Sequence, residues 1–95
     1  MRVDTFMKLK PEQIEALRRE PYRATGNRIG AAIRIAGIRA KDLSRAIGIP
    51  QQQISDLKGG RWRNVRLDTA YAFARFFGCA IEDLFPRTAS RKVAA

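Results

Sequence analysis

Histidine is absent from the 95-residue chain, and cysteine occurs once. The first absence removes the side chain most used as a general base near neutral pH and as a zinc ligand. The second leaves Cys79 unable to close an internal disulfide or build a thiolate cluster, which agrees with a reducing compartment. The nine carboxylates are scattered, and no two form a pair framed by glycine or aromatic residues. Catalysis, a metal site and a bound cofactor are therefore not expected. No apolar run approaches the roughly 20 residues of a membrane span. The opening "MRVDTFMKLK" lacks the hydrophobic centre of a signal peptide. A cytoplasmic protein with no membrane association is expected.

Positive charge is plentiful. Nineteen Lys and Arg against nine Asp and Glu give a formal net charge of +10. Residues 1–24 carry six cations and four anions, residues 25–86 ten and five, and residues 87–95 three and none. A basic chain of this size attracts polyanions, nucleic acid first among them. A solubilising surface or attraction to anionic lipid would use the same charge. The length fits one domain with a modest core. The expected organisation is an N-terminal extension with a short helix over 1–24, a folded domain over 25–86 and a basic disordered tail over 87–95.

Apolar spacing predicts an all-α chain of five or six short helices and no sheet. "PEQIEALRRE" opens on Pro11, a favourable first-turn residue. With only Ile14 and Leu17 strongly apolar, this helix is expected on the surface or packing late. "MRVDTFMKL" before it could be extended. Ile29, Ala32, Ile33 and Ala36 mark one buried face of a helix over about 25–36, ended by Gly37. Further helices are predicted over about 40–47, ended by Gly48, and over about 50–58. A helix over about 67–77 is expected to bury Leu67, Ala70, Phe73, Ala74 and Phe77. A last short helix shows Ile81, Leu84 and Phe85 on one side, and Pro86 stops it.

The stretch "IGIPQQQISDLKGGRWRN" is the most informative. "GIP" is a tight link between two short helices, so it forces a sharp angle that glycine's backbone freedom permits. Ile49 is placed to plug that angle. On a helical wheel, Ile54 and Leu57 define the inner side of the second helix, while Gln52, Ser55 and Asp56 point outward. No Lys or Arg occurs on that helix before Lys58. A cation-free face of amides suits hydrogen-bonding edges such as adenine N6 and N7 in the major groove. Glutamines are also good solvent-exposed helix formers. Lys58, Arg61, Arg63 and Arg66 follow without an acid among them, as phosphate contact beside a reading helix requires. Trp62 among them covers the core edge or packs on sugar.

Three motifs carry a resemblance: "LSRAIGI", "QQQISDLKGG" and "FGCAIEDLF". Together they resemble the Xre/Cro-C1 family of helix-turn-helix DNA-binding domains, which includes the lambdoid phage repressors and Cro, over about 28–85. The resemblance implies a compact five-helix phage-repressor-like domain that works as a homodimer on near-palindromic double-stranded DNA. It places Gln51 and Gln52 at base-reading positions, with Gln53, Ser55 and Asp56 as secondary candidates. It places Asn27, Arg28, Lys41 and the loop carrying Lys58, Arg61, Arg63, Asn64 and Arg66 at phosphates. The chain departs from the family pattern at several points. Arg39 and Pro50 stand where capping hydroxyls are usual, and Ala40 where a bracing glutamine is. Ile33 and Lys58 replace a usual arginine–glutamate pair. The implied function is sequence-specific transcriptional regulation, with repression of an operator expected. An antitoxin that holds a toxin and controls its own operon uses the same domain. A nonspecific nucleic-acid-binding protein would show charge without a defined reading face.

Overall fold

The computed structural model describes residues 8–62 and 64–86, through which run α1 (Pro11–Arg18), α2 (Ile29–Ala36), α3 (Ala40–Ile47), α4 (Gln51–Gly59), α5 (Leu67–Phe77) and α6 (Ile81–Leu84). There is no strand among the described residues. The readings of an extended start, of a disordered tail and of Arg63 fall on residues 1–7, 87–95 and 63, outside that range.

Elements and core follow from apolar spacing. Ile29, Ala32 and Ile33 of α2, Leu43 of α3, Ile54 and Leu57 of α4, and Ala70, Phe73, Ala74 and Phe77 of α5 are all buried. α3 packs on α4 and α5, α2 on α1 and α4, and α6 on α5 and α1. Gly37 and Gly48 end α2 and α3 in the left-handed conformation, at φ 71° and 74°, where a side chain would be strained. Ile33 lies in the core and Lys58 is exposed, so the position of the resembled family's ion pair is divided between packing and solvent.

Three expectations are refined. α1 keeps most of its length exposed or half-exposed, as a surface helix does, but it is anchored: Leu17 is completely buried, a contribution of about 2 kcal/mol. The Leu9 N–H also donates to the Phe77 carbonyl at 2.8 Å, and the Gln13 amide donates to the Ile35 carbonyl at 3.2 Å. One buried leucine in a polar helix suffices when the neighbours enclose it. Second, α2 begins at Ile29, not Thr25. Gly26, at φ 86°, turns the chain out of helical geometry. Third, Leu67 is 46% exposed. It stands at the first position of α5, roughly 60° round the wheel from Ala70, and shares its side with exposed Tyr71. Phe76 takes up burial instead, edge-on to Phe77 with ring centroids 5.0 Å apart.

Candidate nucleic-acid interface

The outward face of α4 is built from the turn onward. Gly48 ends α3, and the Ser44 hydroxyl donates to the Ile49 carbonyl at 2.6 Å, closing the link from inside. Half-buried Ile49 packs against the core. Pro50 precedes the first turn of α4 and cannot offer a capping oxygen, but its carbonyl accepts the Gln53 and Ile54 N–H groups at 3.0 and 3.2 Å. Ile54 and Leu57 are fully buried and fix the roll of the helix. That roll leaves Gln51, Gln52, Gln53 and Ser55 exposed together.

Asp56 is half-buried and already engaged. One of its carboxylate oxygens accepts Gln52 Nε2 at 3.1 Å and lies 3.4 Å from Arg61 Nη1. The first contact orients the Gln52 amide with Oε1 away from the acid. The second N–H of Nε2 and the Oε1 of exposed Gln52 stay available as a donor and an acceptor side by side. Asp56 thus acts on Gln52 and Arg61 from behind. Its backbone carbonyl also accepts the Arg61 and Trp62 N–H groups at 2.9 and 3.4 Å, folding the chain back beyond α4.

The expected phosphate residues divide into two groups. Lys41, Lys58, Arg61, Asn64 and Arg66 are exposed. Lys58 lays its stem across α2, with Cγ 3.9 Å from where a Cβ on Gly30 would stand, and leaves its ammonium outward. Arg66 lies 3.6 Å from the Asp68 carboxylate, an open pair that water screens. Asn27 and Arg28 instead have their polar groups engaged within the fold. Asn27 is 4% exposed, and its amide donates to the Leu57 carbonyl at 2.9 Å and accepts from the Ile29 N–H at 2.9 Å. Arg28 spends its guanidinium on the carbonyls of Glu20, Asp83 and Arg18 at 2.8, 3.0 and 2.9 Å, and stacks 5.1 Å from the Tyr22 ring centre.

Sequence reasoning missed Ser44, Thr25 and Gly60 as parts that hold α4. Their signal is faint. A serine in the last turn of a helix before a glycine, and a glycine doublet after one, occur in many contexts. Half-buried Trp62 lies against the core, as a core-edge residue does.

A family model for the Cro/C1-type HTH DNA-binding domain matches residues 28–90. The chain is also 28% identical over 67 residues to the SPbeta prophage-derived uncharacterized HTH-type transcriptional regulator YotL of Bacillus subtilis (strain 168), covering 70% of this chain and 84% of that protein. No solved structure matches the chain. The match takes in the helix pair joined at Gly48, the exposed amides of α4 and the closing α5–α6 segment, so the chain belongs to the Cro/C1-type HTH DNA-binding domain family, a family of DNA-binding domains and not of enzymes.

Proposed function

We propose that the protein regulates transcription by reading a specific duplex site with α4, and that it acts as a repressor by occluding a promoter. The observation that carries this is the outward face of α4. It holds three exposed glutamines and a serine with no cation before Lys58, on a helix whose roll is set by buried Ile54 and Leu57. Gln51 and Gln52 are the base-reading pair, and Gln53 and Ser55 flank them. Lys41, Lys58, Arg61, Arg63, Asn64 and Arg66 hold the phosphates on either side. A homodimer places two such helices about one turn of duplex, roughly 34 Å, apart on a near-palindromic operator. Exposed Leu67 and Tyr71 on one side of α5 offer that dimer an apolar contact.

The same apolar pair would serve a toxin, which keeps the antitoxin reading as the second one. Selection of bound duplexes from a random pool tests the first. It should enrich a motif of two related half-sites. A protein that enriches no motif is not a sequence-specific regulator. Co-purification of a small partner protein from the native host would favour the antitoxin.

A further inference from the structure

The two ends of α4 are held by different means. Its start is fixed by the covalent Gly48–Pro50 link and by the hydrogen bond from the Ser44 hydroxyl to the Ile49 carbonyl. Its far end has no such link to α2. Ile33 is apolar and Lys58 points to solvent, and among the described residues no ion pair joins α2 to α4. What stands there is Asn27. It is 4% exposed, and every polar atom of its amide has a partner. Nδ2 donates to the Leu57 carbonyl at 2.9 Å and reaches the Thr25 carbonyl at 3.3 Å. Oδ1 accepts the Ile29 N–H at 2.9 Å. These partners also settle which way round the amide lies, because a carbonyl can only accept and an N–H can only donate.

The surrounding turn is shaped to hold that amide. The Thr25 hydroxyl donates to the Asn27 carbonyl at 2.9 Å. Gly60, at φ 83°, lets the chain leaving α4 pass so close that a Cβ there would meet Thr25 Cα at 3.0 Å. The 25–27 turn and the end of α4 therefore touch through backbone as well as through Asn27.

Building on the base-reading role of α4, we infer that Asn27 is a positioning residue for recognition, a strut that sets the tilt of the reading helix. Exposed Ser55 stands five residues from Pro50, roughly 7.5 Å along the axis. A tilt of about 8° about the held Pro50 end shifts Ser55 by about 1 Å. That takes a contact of about 2.9 Å out of hydrogen-bonding range. Long cationic side chains at phosphates follow such a shift without loss, since their attraction falls slowly with distance. The strut thus governs the difference between specific and random sites more than affinity in general.

Asn27→Ser separates this role from the making of the turn. A serine oxygen can still accept the Ile29 N–H, as hydroxyls do in local turns, but it is too short to reach Leu57. The Leu57 carbonyl keeps the Gly60 N–H at 3.2 Å, so the variant folds without a wholly orphaned acceptor. Fluorescence anisotropy of the full chain on the selected duplex and on a scrambled one provides the first readout. Asn27→Ser should lose at least about tenfold on the selected duplex, the size of one good base contact, and less than about twofold on the scrambled one. Equal losses on both, or no loss on either, would overturn the strut. Amide hydrogen exchange of the free protein gives a second readout that needs no preferred site. Exchange in α4 should accelerate in Asn27→Ser while that in α5 holds. Acceleration spread evenly over α4 and α5 would reduce Asn27 to general stability and overturn the proposal. A wild type without any preferred duplex would sink the base-reading function instead, and the exchange result would still decide the strut.

Discussion

Two arginine-bearing regions of this chain put the same charge to opposite uses. At the seam between α1 and α6, Arg18 pairs with buried Asp83 at 2.8 Å, and Arg28 forks into three backbone carbonyls. Along α4 and the loop beyond it, Lys58 and Arg61 are exposed, and Arg61 has only a long contact to Asp56. The difference lies in the acceptors. The carbonyls of Arg18 and Glu20 belong to the end of α1, where helical hydrogen bonding runs out and a cation is welcome. Where such carbonyls converge they claim an arginine, and where none do the cation stays exposed. Net charge marks the partner class but does not say which cations meet it.

The comparison breaks most sharply if Arg28 is removed. Arg28→Ala leaves three carbonyls short of a partner, two of them across the seam, and should cost about 2–4 kcal/mol in thermal or urea unfolding. The salt slope of DNA binding by the folded fraction should stay as in the wild type. A lower slope would mean that Arg28 touches phosphate after all. Lys58→Ala should do the reverse. Its melting behaviour should stay within about 0.5 kcal/mol of wild type, while the slope of log affinity against log salt falls by about 0.9 on every sequence. An unchanged slope would return Lys58 to the solvated surface.

Asp56→Asn probes the link between amide and cation, and its effect should be smaller. Arg61 loses an anion 3.4 Å away and becomes freer to meet phosphate. Affinity for random duplex should rise slightly, and preference for the selected site should fall as Gln52 loses its fixed orientation. A rise in preference would contradict the orientation described for Gln52.

Cys79 reports on the seam without altering it. Burial first, then the nearby Asp83 carboxylate, push its thiol up to about 12, with Arg18 opposing. The unfolded chain loses this proton first, so the contribution to stability is intact below about pH 9 and declines as pH rises from there towards 12. Alkylation at pH 8 should be slow in the wild type and faster in Arg28→Ala, since the thiolate is the reactive form. Equal rates would show that the seam does not shelter the thiol.

Helix placement was legible wherever the apolar spacing was dense. Leu43, Ile54, Leu57, Phe73 and Phe77 are buried as spacing predicts, and Gly37 and Gly48 end their helices. The role of α1 was not legible, because a single leucine in a polar helix carries no periodic signal. Asn27 and Arg28 were assigned to phosphate by the family resemblance, which matches positions and not burial. Their burial depends on where residues 18, 20, 57 and 83 arrive in space, which no local pattern reveals. Leu67 was drawn into the predicted core by its chemistry, though the end of a helix commonly overhangs the core. The amides at Gln51–Gln53 were easier, since the inward commitment of Ile54 and Leu57 alone decides which way they point.

The central claim is that the exposed amides of α4 read bases while the cations around them hold the backbone. The most direct test compares wild type and Gln52→Ala on the selected duplex and on a scrambled one at the same salt concentration. The substitution should cost roughly 1–3 kcal/mol on the selected duplex and leave the scrambled one almost unchanged, with the salt slope unaltered. Equal losses on the two duplexes would place Gln52 on a solvated face and contradict the account.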